Sequence, residues 1–143
     1  MLAALVPPLL GQAPPPRQKC PVCGMFVAKY PDWTASLVFK DGTTLFFDGP
    51  KDLFTCYLGL NRFAPGRTTV DVARIEVKDY YSLRATDGVR AVYVVGSDVT
   101  GPMGRELVPF ADPADAAAFL KDHQGQRLLR FHEITGAVLK TLE

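Results

Sequence analysis

Three residue pairs set 63 positions apart constrain the fold of this 143-residue chain more than any other feature: Phe47 and Phe110, Pro50 and Pro113, Asp52 and Asp115. The hydrophobic pattern around each triad runs in the same order. Two stretches of β-branched and aromatic residues come first: Trp33 to Phe39 and Thr43 to Phe47 in one half, Ala91 to Gly96 and Glu106 to Phe110 in the other. Each Pro then opens a helix at the first position, where its missing N–H costs nothing, and each Asp follows in the first turn. Asp112 adds a side-chain N-cap. In the first helix Leu53, Phe54, Tyr57 and Leu58 share one face; the alanine-rich second helix runs to about His123. A third strand closes each half, Val70 to Val77 (apolar at Val70, Val72, Ile75 and Val77) and Gln126 to His132.

Turns and connectors complete the pattern. Asp41-Gly42 and Asp87-Gly88 mark tight turns, Asn61 to Gly66 reads as loop, and residues 78–83 extend the third strand around a bend. Ile134 to Leu142 forms a short terminal helix weakened by Gly136. The predicted fold class is α+β: two similar β-β-α-β units from an internal duplication, packed as one compact protein, plus the C-terminal helix. The expected boundaries are a leader and spacer over 1–19, a first unit over 20–86 and a second over 87–143.

Composition narrows the partners. With 48% apolar and 22% charged residues the chain can bury a core, and its net charge of +1 contains no basic block. That reads against nucleic acid and against an acidic membrane surface. The apolar run over residues 2–10 is too short to span a bilayer, which takes about 20 residues of helix. It has the length of a signal-peptide core, with small residues Gly11 and Ala13 after it, although Pro7-Pro8 interrupts it and no Lys or Arg precedes it. Export is the expectation and a cytoplasmic tail the alternative. No cysteine follows Leu10-Gly11, which argues against a lipid anchor, and Pro14-Pro15-Pro16 reads as a stiff spacer.

The chemistry concentrates in Cys20-Pro21-Val22-Cys23-Gly24-Met25, two thiols and a thioether in six residues. Alone, that motif allows zinc, disulfide chemistry or copper. No second cysteine pair completes a zinc site, and His123 and His132 lie far downstream. Cu(I) accepts thiolate and thioether at low coordination number. Cys23 and Met25, two apart, would point to one side of an extended backbone. Met103, in the loop Val99-Thr100-Gly101-Pro102-Met103-Gly104-Arg105, either tucks onto the sheet or presents a third sulfur. Cys20 is a second thiolate, a disulfide partner or a bystander. Cys56 reads as a small buried hydrophobe and Trp33 as core. His123 caps a helix end or offers a nitrogen ligand, and His132 is structural. A helix-start role accounts for Asp48, and a solvated strand position for Glu106. Among enzymes, a thiol–disulfide oxidoreductase using Cys20 and Cys23 is the alternative, although Pro21 and Gly24 disfavour the helix start such motifs use. No catalytic triad, P-loop or dinucleotide fingerprint is present.

Taken together, Cys20-Pro21-Val22-Cys23-Gly24-Met25, Asp41-Gly42-Thr43 with Phe46-Phe47-Asp48-Gly49, Gly101-Pro102-Met103-Gly104 with Glu106-Leu107-Val108-Pro109-Phe110, and Lys121-Asp122-His123 leading to Phe131-His132-Glu133-Ile134-Thr135 resemble the NosL family of nitrous-oxide-reductase accessory proteins. The resemblance implies a Cu(I)-binding chaperone outside the cytoplasmic membrane that supplies copper to apo nitrous oxide reductase or its maturation machinery, with no catalytic turnover. It implies Cys23 and Met103 as copper ligands, with Met25 a motif member and His123 a nitrogen ligand or supporting group. It also implies two similar strand–strand–helix–strand units.

Overall fold

A computed structural model describes residues 11–143; the apolar run over 2–10 lies outside the described residues. Strands β1 (Ala35–Phe39) and β2 (Thr44–Phe47) form an antiparallel hairpin, with Ala35 opposite Phe47 and Val38 opposite Thr44. Its turn uses Gly42 at φ +90° and an Asp41 carboxylate that accepts from the Thr43 N–H at 3.0 Å. Helices α1 (Pro50–Leu58) and α2 (Leu60–Phe63) follow, then β3 (Val72–Lys78) and β4 (Ala85–Asp87). The sheet order is β2-β1-β3-β4, antiparallel throughout.

The second half repeats this connectivity. Central β5 (Val92–Val95) is flanked by antiparallel β8 (Val108–Phe110) and β9 (Arg127–Arg130), and α3 (Pro113–Asp122) joins the two flanking strands. In each half the first strand lies between the other two and the helical segment connects those flanking strands, with β4 added at the edge of the first sheet, an arrangement compatible with an internal duplication. The halves differ where the site is built. A small hairpin, β6 (Thr100–Gly101) and β7 (Gly104–Arg105), is inserted between the first two strands of the second half and carries Met103 at its tip. Helix α4 (Gly136–Lys140) packs against α1.

A shared core joins the halves. Leu37, Phe39, Phe47, Leu53 and Phe54 pack with Tyr93, Val95, Leu107, Leu129 and Val138. Alternate residues of β5 point the other way, so Val92 and Val94 pack with Phe110, Ala116 and Phe119 beneath α3. Separating the halves would strip one face of β5, at roughly 25 cal/mol for each Å² of apolar surface exposed. Polar contacts also cross the junction: the Tyr80 N–H donates to the Pro109 carbonyl at 2.9 Å, and Asp79 accepts from Ala111 N–H and Ser82 N–H, each at 2.8 Å.

Local departures from the sequence expectation have identifiable causes. The stretch from Trp33 begins its strand only at Ala35, and Trp33 packs half-buried against Tyr80. Residues 60–63 make one further helical turn instead of loop. Val70 falls in a 3-10 turn stapled by reciprocal Thr68 and Asp71 capping and is 73% exposed, so it never joins the strand face. The chain turns after Lys78, held by the Asp79 carboxylate, and β4 begins at Ala85. His132 sits on an exposed 3-10 turn (Phe131–Glu133), because β9 ends at Arg130. Thr135 caps α4, which places Gly136 in the first turn, where its flexibility costs least. Gly11 donates to Glu76 Oε1 at 2.7 Å, so the chain entering the proline stretch is tied to the first sheet. Cys56 is fully buried, as expected of a small hydrophobe.

Asp79 yields a stability prediction. Burial pushes its carboxyl up, but the N–H groups of Ala111, Ser82 and Tyr81 and the Ser82 hydroxyl outweigh this and hold it below the usual range. A depressed carboxylate stabilises the fold above the unfolded value of about 3.9, and the contribution fades as pH falls through the folded value. Asp79→Ala should therefore cost about 1–2 kcal/mol in urea denaturation at pH 7, by removing two part-buried hydrogen bonds to a charged acceptor. The gap from wild type should shrink below about pH 3.9; a gap independent of pH would contradict this.

Candidate metal centre

The sulfur motif is a closed turn. Lys19 bridges Phe26, the Cys20 N–H donates to the Met25 carbonyl, and the Gly24 N–H donates to the Cys20 carbonyl, both at 2.9 Å. Gly24 takes φ +78°, a left-handed conformation that suits glycine. The backbone is thus folded back, and the side-by-side placement expected of Cys23 and Met25 on an extended chain does not apply. Met25 contributes through its main chain, its carbonyl to Cys20 and its N–H to the Cys23 sulfur.

This turn packs on the start of α1, which supplies two carboxylates. Asp48 precedes the N-cap Gly49, and Asp52 lies in the first helical turn. The Cys20 thiol donates to Asp52 Oδ2 at 3.4 Å and the Cys23 thiol to Asp48 Oδ2 at 3.2 Å. One ligand atom from each of Cys20, Cys23, Asp48 and Asp52 lies within 4.8 Å of the others. Cys20, Asp48 and Asp52 are buried and Cys23 is half-buried, so Cys23 is the group solvent reaches most readily. Asp48 Oδ1 is buried with no hydrogen-bond partner among the described residues.

The electrostatics follow from that crowding. Burial raises the pKa of Cys20, with Asp52 adding to it. Burial also pushes the Cys23 thiol far up; the Met25 N–H works against this, while its bonds to Asp48, Asp52 and Cys20 reinforce it. Burial and the neighbouring Asp48 raise the Asp52 carboxyl despite the thiols that donate to it. Burial and the two carboxylates therefore favour the protonated form of both thiols. A cation entering the cluster would meet two sulfurs, two carboxylates and one unsatisfied oxygen, so the donor set fits a metal ion.

The other residues singled out in the sequence fall in two places. Met103 is 42% exposed on its hairpin, and its carbonyl accepts from Lys51 Nζ at 2.9 Å; Lys51 adjoins Asp52. The hairpin of the second half is therefore tied to the helix end that carries the cluster. His123 lies elsewhere: it ends α3, stacks on Phe119 at 4.4 Å and holds Asp98 Oδ1 at 2.8 Å through Nδ1. The structure does not bring it among the four clustered donors.

Sequence reasoning missed the two carboxylates. Asp48 gives its carboxylate to the Cys23 thiol and no side chain at the start of α1 makes a cap bond, while Glu106 is 3% exposed, so neither the helix-start role nor the solvated position accounts for them. The signal available was a break in the repeat: the position matching Asp48 in the second half is Ala111.

Comparison with known proteins places this geometry. The sequence model of the NosL family matches residues 13–139. The chain belongs to the NosL family. It is 33% identical over 123 residues to the copper-binding lipoprotein NosL of Stutzerimonas stutzeri, a match covering 85% of this chain and 64% of that one. The chain thus spans just under two thirds of that curated relative. The crystal structure of the copper chaperone NosL from Shewanella denitrificans superposes with a TM-score of 0.76 at 29% identity, covering 92% of this chain and 99% of that one. The solution structure of apo-NosL from Achromobacter cycloclastes gives 0.50 at 27% identity, covering 73% and 87%. The cluster, Met25, Met103 and His123 of this chain all lie within the family match.

The raised thiol values predict reactivity. Iodoacetamide should alkylate Cys23 of the metal-free protein at pH 7.5 at least about tenfold more slowly than a free peptide thiol, whose pKa is about 8.5. Asp48→Asn should speed the reaction by removing a charge that favours the thiol. A rate at or above the peptide's would contradict the geometry.

Proposed function

We propose that this member of the family binds Cu(I) through the Cys23 thiolate and the Met103 thioether, with Met25 a further sulfur of the motif, and hands the ion to apo nitrous oxide reductase or its maturation machinery. The observation that carries this reading is a reachable thiol in the cluster at the start of α1, with the Met103 hairpin of the other half tied through its carbonyl to Lys51 at the same helix end. Thiolate and thioether suit a soft monovalent ion. A thioether is neutral and exchanges readily, which suits donation of a cargo. Cys20 is a second thiolate or holds Asp52 in place. His123, bonded to Asp98, lies outside the sulfur set unless its loop moves. The relatives are named for copper binding and copper chaperoning, which supports cargo handling over catalysis.

Two features bear on the rival readings. An oxidoreductase needs a stabilised thiolate; here burial and carboxylates keep both thiols protonated, and the motif is a turn. A zinc site gains from the structure, because Asp48 and Asp52 complete a four-donor set. The expected site of action is outside the cytoplasm. Among the described residues no helix is long and apolar enough to cross a membrane, and the Stutzerimonas relative is named a lipoprotein.

An anaerobic competition titration with Cu(I) tests the reading. Cys23→Ala should weaken binding by more than roughly a hundredfold, beyond what an outer-sphere partner is worth, and Met103→Ala by about tenfold or more. Unchanged affinity in both variants would sink the proposal, and zinc binding as tight as Cu(I) would favour the zinc reading. Because the bound thiols must lose their protons, apparent affinity should rise about tenfold per pH unit near neutrality if one thiolate forms, and about a hundredfold if Cys20 joins Cys23. A flat profile would show that no proton leaves.

A further inference from the structure

The copper site leaves Glu106 unused, although its carboxylate is almost wholly shielded from water in the segment leaving the Met103 hairpin. Its Oε1 accepts from the Lys51 N–H at 2.6 Å and from the Leu107 N–H at 2.9 Å. The rest of the side chain lies between two glycines. A Cβ on Gly49 would overlap the carboxylate, and a Cβ on Gly101 would come within 3.1 Å of its Cγ. Gly49 is extended at φ −173°, a conformation open to any residue, and Gly101 is not among the glycines at positive φ. Both positions are small for reasons of space. Gly49 adjoins Asp48, and Gly101 opens the Met103 hairpin.

The two halves of the molecule cap their helices differently. In the second half Asp112 caps α3 with its own side chain, accepting from the Ala114 N–H at 2.9 Å. In the first half the matching residue is Gly49, which has no side chain to do so, and Glu106 reaches across to the α1 amide instead. Lys51 returns the contact from the other side by donating to the Met103 carbonyl. The hairpin is thus clamped to the Asp48–Asp52 turn by one residue from each half.

We propose that Glu106 is a positioning residue for copper binding: it sets the Met103 hairpin against the Cys23–Asp48 turn and thereby fixes the span between the two sulfurs. This rests on the Cu(I) reading above. The carboxylate touches no sulfur in this arrangement. It acts by filling the gap between Gly49 and Gly101 and bonding the α1 amide. Gln keeps the volume and the Oε1 acceptor, whereas Ala loses both.

The test is an anaerobic Cu(I) titration of Glu106→Ala, Glu106→Gln, Met103→Ala and the Glu106→Ala/Met103→Ala double variant, with amide hydrogen exchange on the metal-free proteins. Glu106→Ala should raise exchange across Gly101–Arg105 while β5 and α3 keep their protection. It should weaken Cu(I) about tenfold, the lower end for loss of a supporting partner. Glu106→Gln should restore both readouts, and in the absence of Met103 the Glu106→Ala change should cost nothing further. Unchanged hairpin exchange, or copper losses that multiply in the double variant, would overturn the proposal. Should Glu106→Ala fail to fold, Gly101→Ala presses the hairpin off an intact carboxylate and should weaken Cu(I) only when Met103 is present; no change would overturn it equally. Met103→Ala binding like wild type would fell the copper reading and this proposal together, whereas a loss there with none in Glu106→Ala would fell this one alone.

Discussion

A carboxylate taken out of water must be paired or it destabilises the fold. Among the described residues five carboxylates are buried: Asp48, Asp52, Glu76, Asp79 and Glu106. Glu76 pairs with Arg74 at 2.6 Å and accepts from Gly11, and Asp79 takes two backbone N–H groups. Glu106 also takes two, yet burial still pushes its carboxyl up to about 8. One bond of each crosses the junction between the halves, from the Ala111 N–H to Asp79 and from the Lys51 N–H to Glu106, and so fixes how the halves meet. Asp48 and Asp52 have thiols as donors, the weakest in the side-chain inventory, and one oxygen of Asp48 has none. The imbalance sits at the one place where a soft-sulfur motif closes over a helix end.

That imbalance gives the site its direction of action. Without a cation, burial and mutual repulsion hold protons on the sulfurs. A cation replaces those protons and meets charge that the protein has not otherwise balanced. Cys23 is the partly exposed member of the cluster, and Met103 is exposed on a hairpin tied to the same helix end. A donor arranged as proposed can bind and release without unfolding its core, because Met103 lies exposed outside the packed layers.

Much of the fold was legible because its signals are local. Asp-Gly turns, Pro at the first helical position and the 63-residue spacing located α1, α3 and six of the strands that build the two sheets. Capping details shifted their ends: Thr68 with Asp71 removed Val70 from its strand, and Thr135 moved α4 past Ile134. The site was half legible. Sulfur is rare enough that Cys20, Cys23, Met25 and Met103 stand out. An Asp beside a helix start is common, and nothing local distinguishes a solvated one from Asp48. Its burial depends on the Cys20–Met25 turn folding over it from 25 residues away. Glu106 hid for the same reason, since its partners lie on α1, 55 residues upstream.

The central claim is that sulfur from both halves of the chain meets on one Cu(I) ion. The chain has three methionines, Met1, Met25 and Met103, so the methyl resonances of protein labelled with methyl-13C methionine report on each separately. On titration with Cu(I) under argon, the Met103 methyl should move to a new position in proportion to bound metal, complete at one equivalent, while the Met1 methyl stays where it was. A Met103 methyl that keeps its metal-free position when the protein is saturated with Cu(I) would contradict the account.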